Sequence, residues 1–258
     1  MVKKRLVGVV TVKNGWAVQS FGYQKYLPLG KPECLVENLD RWGVGEILIQ
    51  VIDRSSNEAG PDYELLDTIA HLGLGTPLIY GGGINSVEDG VKVIQSGADR
   101  IVVDSLLHTD LSVIEFLGEC LGRQAVIASL PMAVEDNELK LLNYRTKTMS
   151  TINGDLLALI KQGTISEILL TDWSNEGNTL GFNKDLVELF PYDNVPLITF
   201  GGISSTEQMQ ELLDFPNVVA VSIGNFLSYK EHAVQKFKDA LEHTSLRPSF
   251  YYATDYSS

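Results

Sequence analysis

Three absences narrow the possibilities for this chain: paired cysteines, long apolar runs and an excess of basic residues. Cys34 and Cys120 fit neither a metal site nor a redox pair, so we expect reduced thiols in a cytoplasmic protein. No apolar run approaches the roughly 20 residues of a membrane helix. With 20 Lys and Arg against 33 Asp and Glu, the formal charge of −13 argues against nucleic acid or an anionic membrane as a partner.

The abundant residues indicate a folded protein with a large core. Of 258 residues, 44% are hydrophobic and 21% are charged, which excludes a disordered chain and leaves one large α/β domain or two small ones. No linker or low-complexity segment divides the sequence. We therefore predict one domain over residues 1–245, followed by an aromatic C-terminal tail over residues 246–258.

Short apolar runs, rich in β-branched residues, alternate with amphipathic segments along the chain. The runs are nearly continuous in apolar character, which is typical of strands buried on both faces of a parallel sheet. Eight such strands alternating with eight helices predict an α/β fold of the (β/α)8 TIM barrel type, although a doubly wound sheet would show the same periodicity. The predicted strands are Leu6–Val10, Ile47–Ile52, Leu78–Tyr80, Ile101–Val103, Ala125–Ser129, Ile168–Thr171, Leu197–Thr199 and Val218–Ile223.

An internal repeat favours the closed barrel over the open sheet. Residues 77–88 and 196–207 agree at eight of twelve positions, at an offset of 119 residues. Residues 45–49 and 166–170 give a second match, at an offset of 121 residues. Four βα units present twice predict a barrel built from two half-barrels, and the period is too long for a solenoid.

Glycine-rich turns follow the third and seventh predicted strands, at residues 81–83 and 201–202. Such turns expose backbone N–H groups beside a helix N-terminus, which binds phosphate without net positive charge. One such turn would be explained as well by tight chain reversal, but two at repeat-related positions favour two anion sites facing each other across the barrel mouth. The predicted phosphate-binding residues are Gly82, Gly83, Ser105, Gly201, Gly202, Gly224 and Asn225.

Carboxylates also collect in the predicted loops at the barrel mouth. Asp104 and Asp172 directly follow their strands, and Asp53 and Glu176 lie close behind theirs. In a half-enclosed mouth such groups can act as acid or base, although loops are also rich in Asp because it forms turns. Asp104 and Asp172 are our first candidates for catalysis. The four histidines and two cysteines show no metal-ligand spacing, so we expect no metal and no cofactor.

Several of these segments together resemble one family, the cyclase subunit of imidazole glycerol phosphate synthase, a HisF-like barrel. The resemblance is carried by residues 81–84, 97–100, 167–171 and 201–202, and it extends over nearly the whole chain. It implies a glutaminase that docks on the N-terminal face of the barrel. It also implies that ammonia passes through the barrel core to a phosphate-bearing substrate at the opposite end.

The resemblance further implies a ring of four charged residues that admits ammonia at the barrel floor. The matching positions are Arg5, Glu46, Arg100 and Glu167, with Arg100 in place of the family's Lys. Each lies at the start of a predicted strand. A solvated strand end would explain any one of them, but four together, two of each sign, favour a paired layer with a function.

The chain departs from the family at the two Asp residues that serve as general acid and base. Thr11 and Pro131 stand there instead, so Thr11 is a weak third catalytic candidate and Pro131 has no proton to exchange. Residues 21–32 and 224–234 resemble a divergent branch of the family. Its members work with a glutaminase and a third, ATP-using sugar amidotransferase to convert an acetamido sugar into an acetamidino sugar for surface polysaccharide.

Three functions therefore stay open. The first is ammonia delivery to a phosphorylated or nucleotide-sugar substrate in polysaccharide biosynthesis. The second is the cyclase (lyase) activity of histidine biosynthesis. The third is a barrel without catalysis that only docks partners and conducts ammonia, which the identities of Thr11 and Pro131 favour.

Overall fold

A computed structural model of the chain describes residues 4–55, 57, 59–228 and 233–241. The strands in this part of the chain are β1 (Arg5–Lys13), β2 (Trp16–Phe21), β3 (Lys25–Gly30), β4 (Glu46–Val51), β5 (Leu78–Gly81), β6 (Arg100–Val103), β7 (Val126–Glu135), β8 (Glu138–Asn143), β9 (Thr148–Ser150), β10 (Glu167–Asp172), β11 (Leu197–Phe200) and β12 (Val218–Ile223). The helices are α1 (Pro32–Trp42), α2 (Tyr63–Ala70), α3 (Val87–Gln95), α4 (Leu106–Thr109), α5 (Leu111–Leu121), α6 (Gly154–Lys161), α7 (Asp185–Glu188), α8 (Thr206–Leu213) and α9 (Ala233–Ala240).

Eight of these strands form a closed parallel barrel. They pair in the order β1, β4, β5, β6, β7, β10, β11 and β12, and β12 pairs again with β1. Each predicted strand overlaps one of these eight. The predicted (β/α)8 barrel is therefore confirmed, and closure through the β12–β1 pairing excludes the doubly wound open sheet.

A helix begins four residues after the last glycine of each glycine-rich turn, α3 at Val87 and α8 at Thr206. Ser86 precedes α3, and its side chain accepts a hydrogen bond from the backbone N–H of Asp89. Ser205 precedes α8 in a capping box with Gln208, in which each side chain bonds to the other residue's backbone. Because these caps satisfy N–H groups that a helix start would otherwise leave unpaired, they fix where each turn ends.

Apolar side chains fill the barrel interior. These residues alternate along the strands with those that pack against the surrounding helices, as the two-residue period of a strand requires. None of them is more than 6% exposed. The interior cluster is Val7, Val9, Leu48, Ile79, Val102, Ile127, Leu169, Ile198, Phe200 and Ala220.

Two antiparallel hairpins at the carboxyl end of the barrel, each continued by a third strand, were not predicted: β3 pairs with β2, and β9 pairs with β8. The turn at Asn14 and Gly15, with φ of 50° and 76°, joins β1 to β2. A matching turn at Asp136 and Asn137, with φ of 51° and 62°, joins β7 to β8. Both turns have positive φ at the two central residues, for which Asn-Gly is a strong sequence signal. The first hairpin could therefore have been found at Asn14-Gly15.

Parts of the chain predicted from sequence lie outside the described residues. The predicted tail, residues 246–258, is one of them. Within the described part, no helix combines the length and apolar character needed to cross a membrane.

Candidate active site at the barrel mouth

A cavity of about 890 Å³ opens at the carboxyl end of the barrel. Its walls come from the ends of β4, β5 and β6 and from the two hairpins. Of the predicted phosphate-binding residues, Gly82, Gly83 and Ser105 line it, and so does Asp104. The structure thus brings the first glycine-rich turn and two of the mouth carboxylates, Asp53 and Asp104, into a single pocket.

The turn at Gly82 and Gly83 admits no larger residue. A Cβ atom on Gly82, where φ is +135°, would lie 2.3 Å from the carbonyl oxygen of Val51. A Cβ atom on Gly83, where φ is +71°, would lie 2.6 Å from the carbonyl oxygen of Ala59. The end of β4 and the segment after it therefore pack directly against this turn, and the backbone N–H of Gly83 donates to the hydroxyl of Ser55 at 3.3 Å.

Of the two first candidates for catalysis, Asp104 is the one that lines the pocket. Burial raises the pKa of its side chain to about 7. No hydrogen bond or ion pair to this carboxylate is found in the described part of the chain. Near neutral pH both protonation states are therefore populated, which is the condition for a general acid or base.

Asp172, by contrast, does not line this pocket. It is 1% exposed, and its carboxylate accepts hydrogen bonds from the side-chain amide of Asn175 and the backbone N–H of Asn183, both at 2.8 Å. These contacts hold the loop after β10 in place. This geometry argues against the predicted catalytic role, because the carboxylate is buried and hydrogen-bonded within its own loop and does not line the pocket.

Thr11 is also placed away from the pocket. It borders a separate cavity of about 60 Å³, together with Gly224 and Asn225. Its side chain is 6% exposed. The weak catalytic candidacy of Thr11 therefore gains no support from its position.

The second predicted anion site is covered by the chain itself. A Cβ atom on Gly201 would lie 2.5 Å from the carbonyl oxygen of Asp172, and one on Gly202 would lie 2.5 Å from that of Gly181. The backbone N–H of Gly181 also donates to the carbonyl oxygen of Gly202 at 3.1 Å. The loop after β10 thus packs directly on this turn, and neither glycine lines the pocket, so two anion sites facing each other stay a prediction.

Asn225 is occupied in the same way, by the first hairpin. Its Oδ1 accepts from the backbone N–H of Ser20 at 3.1 Å, and its Nδ2 donates to the carbonyl oxygen of Ser20 at 2.5 Å. Because its amide oxygen and one of its amide N–H groups bond to Ser20 in β2, Asn225 anchors the hairpin. Its role in anion binding stays a prediction.

Glu176 and two tyrosines complete the cover over the mouth. The buried carboxylate of Glu176 accepts from the hydroxyl of Ser20 at 3.1 Å and the backbone N–H of Tyr23 at 3.0 Å, and burial raises its pKa. The ring of Tyr23 lies edge-on to that of Tyr144, with centroids 5.2 Å apart. Tyr23 also packs on the interior apolar cluster, and its hydroxyl donates to Gln50 at 3.4 Å. This ring therefore lies between the barrel interior and the pocket.

At the opposite end, the structure brings all four predicted ring residues together. Arg5 donates to Glu167 at 2.7 and 2.8 Å and to Glu46 at 3.3 Å. Arg100 donates to Glu167 at 2.8 Å and lies 3.7 Å from Glu46. The charges alternate around a closed ring, and each side chain is at most 15% exposed.

The guanidinium of Arg100 makes contacts that a Lys could not combine. Its Nε donates to the carbonyl oxygen of Gln124 at 3.1 Å, and one Nη donates to the hydroxyl of Ser166 at 2.9 Å, while the other Nη bonds to Glu167. A planar fork with five donors is suited to such divergent partners. Arg100 therefore ties the ring to the neighbouring strand end.

Comparison with known proteins identifies the family. The sequence pattern of the family described as histidine biosynthesis proteins matches residues 5–233. The chain belongs to this family. A Vibrio vulnificus protein, provisionally named imidazole glycerol phosphate synthase subunit hisF2, is 26% identical over 248 residues, which are 95% of this chain and 91% of the relative. Imidazole glycerol phosphate synthase subunit HisF of Dehalococcoides mccartyi is 25% identical over 248 residues, 95% of this chain and 98% of the relative.

A further relative is a Leptospira interrogans protein, provisionally named imidazole glycerol phosphate synthase subunit HisF. It is 27% identical over 239 residues, which are 89% of this chain and 92% of the relative. Membership of the histidine biosynthesis protein family and the names of these relatives confirm the predicted resemblance to a HisF-like subunit.

This member of the histidine biosynthesis protein family carries three pocket cations that the sequence analysis missed. Lys13 lies at the end of β1, and Arg145 and Lys147 lie in the turn between β8 and β9. The Nζ atom of Lys13 is 3.7 Å from the ring centroid of Tyr26. Among the described residues, no group of three or more His, Cys, Asp or Glu side chains is arranged to hold a metal ion.

Proposed function

We propose that this chain is the synthase subunit of a glutamine amidotransferase. Ammonia from a partner glutaminase enters through the charged ring, passes the barrel interior and reacts with a phosphate-bearing substrate in the pocket. The observation that carries this proposal is the closed ring of Arg5, Glu46, Arg100 and Glu167 at the end of the barrel opposite the pocket. Similarity to imidazole glycerol phosphate synthase subunits supports it.

The ring and the apolar interior suit ammonia better than ammonium. A charged ion would lose its hydration among apolar side chains, whereas a neutral molecule loses far less. The ring lies directly below Val7, Ile79 and Ile127, so a molecule that leaves it enters an apolar layer. Small displacements of these side chains would let ammonia pass, and a glutaminase docked on the ring would deliver it there.

The pocket supports a substrate whose phosphate groups lie in one place. The first glycine-rich turn and the three cations line a single pocket, whereas Gly201 and Gly202 do not line it. A ligand with a phosphate at each end would need both turns. We therefore favour a phosphorylated or nucleotide sugar, with conversion of an acetamido to an acetamidino group for surface polysaccharide.

In this reaction Asp104 would accept a proton from the attacking nitrogen. Its pKa of about 7 suits that transfer at neutral pH. The oxygen of an acetamido group is a poor leaving group, so it must be activated first. A third, ATP-using sugar amidotransferase would supply that activation beside the pocket.

Two other functions are favoured by particular observations. The names of the relatives favour the cyclase (lyase) step of histidine biosynthesis. The residues Thr11 and Pro131, in place of two acids, favour a barrel that docks partners and conducts ammonia without catalysis. Adding ammonium salt and the imidazole-forming bisphosphate to the purified chain separates these functions, because turnover would exclude both the sugar reaction and the non-catalytic barrel.

The proposal is tested by coupling in the complex with the glutaminase. Glutamine hydrolysis and amidated product are measured together for the wild type, Glu167→Gln and Arg100→Ala. We expect hydrolysis to continue while product per glutamine falls several-fold in both variants, since each opens the ring. Arg41→Ala, which removes an exposed ion pair to Glu37, is the control. Full coupling in both ring variants would reject the proposed entry of ammonia.

A further inference from the structure

Trp173 carries a polar group that the folded chain leaves without a partner. Its indole nitrogen, Nε1, is buried, and no hydrogen bond to it is found in the described part of the chain. The residue lines the pocket at the barrel mouth. The carboxylates nearest to it in sequence, Asp172 and Glu176, both accept hydrogen bonds from other residues of the chain. The unpaired indole donor is therefore an exception among the buried polar groups of this loop.

The strand period places Trp173 on the same side of the pocket as Asp104. Side chains two positions apart point to the same face of a strand, so Thr171 points inward like the interior residue Leu169, and Trp173 follows two positions later. The backbone N–H of Trp173 donates to the carbonyl oxygen of Met132 in β7 at 3.4 Å, which keeps the chain alongside that strand. The other neighbour of β7 is β6, which Asp104 directly follows. Only β7 therefore lies between the strands that carry these two pocket residues.

A buried donor without a partner is unusual in a folded protein. Burying an N–H group without a hydrogen bond opposes folding, and a bound ligand or water normally accounts for such a group. Phenylalanine would supply a similar aromatic surface without this group. The indole N–H of Trp173 only donates, so its partner must be an acceptor atom. Away from bulk water, a hydrogen bond to that acceptor is stronger than one at the protein surface.

The surroundings of Trp173 favour an uncharged acceptor. The pocket cations Lys13, Arg145 and Lys147 come from the end of β1 and from the turn between β8 and β9. The strands β6, β7 and β10 contribute no Lys or Arg to the pocket wall, and the side chain of Asp104 is negative when it is deprotonated. A phosphate would be repelled on this side. An acetamido group fits, because its carbonyl oxygen accepts from the indole and its N–H can donate to Asp104.

We propose that Trp173 determines specificity for the acylated end of the substrate: its indole N–H binds the carbonyl oxygen of an acetamido group. The phosphate of the substrate then lies toward the three cations, and the carbon that receives the nitrogen lies beside Asp104. This inference rests on the proposed function. It adds the residue that distinguishes an acetamido sugar from the same sugar with a free amino group, which is protonated at neutral pH and has no acceptor atom.

The small number of tryptophans makes this contact measurable by nuclear magnetic resonance. Trp16, Trp42 and Trp173 give three indole N–H signals in isotope-labelled protein, and the signal missing in Trp173→Phe belongs to Trp173. N-acetylglucosamine-1-phosphate, or its nucleotide-linked form UDP-N-acetylglucosamine, should move this signal downfield, because hydrogen bonding deshields the proton. Glucosamine-1-phosphate and inorganic phosphate should leave the signal in place. An equal shift with glucosamine-1-phosphate, or binding of an acetamido compound without a shift, would overturn the proposal.

Calorimetry measures how much the contact contributes to binding. Trp173→Phe should bind the acetamido compounds several-fold more weakly than the wild type and should bind glucosamine-1-phosphate equally well. Trp42→Phe is the matched control, because Trp42 lies in α1 and does not line the pocket. It should keep the wild-type affinity for every compound. Wild-type affinity of Trp173→Phe for the acetamido compounds would reject the assignment of Trp173.

The outcomes separate this inference from the proposed function. Ammonia delivery is judged by coupling in the variants of the charged ring, which lies at the opposite end of the barrel. If those variants lose coupling while Trp173→Phe binds the acetamido compounds as the wild type does, the route of ammonia stands and the role of Trp173 is rejected. If neither acetamido compound binds the wild type, the proposed sugar substrate fails together with this inference.

Discussion

The side-chain amide of Asn225 pairs with both backbone groups of Ser20, at 3.1 and 2.5 Å, although the two residues are 205 positions apart. This double contact fixes the first hairpin to the end of β12. Gly177 adds to the closure, because a Cβ atom there would lie 2.2 Å from the carbonyl oxygen of Ser20. One half of the barrel mouth is therefore filled by the chain, and the pocket opens in the other half.

Asn225→Ala should release the hairpin without unfolding the barrel. Both hydrogen bonds are part-buried, so their loss should lower the free energy of unfolding by about 1–3 kcal/mol. Urea unfolding measures this change, and limited trypsin digestion should show faster cleavage at Lys25 in β3. Asn194→Ala, at an exposed position, is the control. Unchanged cleavage at Lys25 would show that other contacts hold the hairpin.

Arg100→Lys should separate the structural from the conducting role of the ring. The lysine keeps the positive charge but loses the contacts to Gln124 and Ser166. We expect the free energy of unfolding to fall by about 1–2 kcal/mol while coupling to glutamine hydrolysis is kept. Urea unfolding compared with Arg41→Lys, which lies on an exposed helix face, measures the difference. Equal stability of the two variants would contradict the contacts assigned to Arg100.

Asp104→Asn should change how stability depends on pH. The pKa of Asp104 is raised from 3.8 to about 7 in the folded state, so the folded protein holds a proton that the unfolded chain has released between these values. Its contribution to stability therefore falls as pH rises from about 4 to 7 and stays low above pH 7. At pH 8 the Asn variant should be more stable by on the order of 2 to 4 kcal/mol, with little difference near pH 4.

The measurement is chemical unfolding of the wild type and Asp104→Asn from pH 4 to pH 8. Asp193→Asn, at an exposed position, serves as the control. The same Asp104→Asn variant should also lose product formation in the glutaminase complex, because an amide cannot accept the proton. Parallel stability profiles of the wild type and Asp104→Asn would refute the raised pKa.

Gly83→Ala should damage the pocket far more than Gly73→Ala. Both glycines have positive φ, +71° and +63°, so backbone strain is similar in the two variants. At Gly83 the new methyl group meets the backbone of Ala59 and Gly60, whereas at Gly73 nothing lies within 4 Å. Calorimetry with inorganic phosphate should show binding in Gly73→Ala and none in Gly83→Ala. Equal phosphate binding in both would remove this turn from the proposed anion site.

The barrel could be predicted because each of its strands carries a local signal. Continuous apolar runs such as Ile47–Ile52 and Ile168–Thr171 mark strands buried on both faces, and their alternation with helices fixes the fold type. The floor ring could be located for a related reason: its four members stand at the starts of strands, and parallel strands in a barrel start at one end. That they form closed ion pairs was visible only in the structure.

The second hairpin and the cover over the mouth could not be predicted in this way. Asp136 and Asn137 turn the chain at positive φ, which residues other than glycine seldom adopt. The strand β8 has only 6 residues, too few for the alternation of its side chains to be recognised in the sequence. Asp172 and Asp104 both follow a predicted strand in the sequence. The carboxylate of Asp172 is hydrogen-bonded within its own loop, whereas Asp104 lines the pocket. Which face of the barrel each loop covers depends on contacts between distant segments.

The amino-acid sequence by itself determined the eight-stranded barrel, the charged residues at its floor and the glycine-rich turns at its mouth. Only the tertiary structure decided where the pocket opens, because the contact between Ser20 and Asn225, which fills the other half of the mouth, joins residues 205 positions apart. Local patterns follow from the geometry of single strands and helices. A pocket is formed by side chains from several strands and loops. Periodic patterns along the chain do not show how these segments are placed relative to one another.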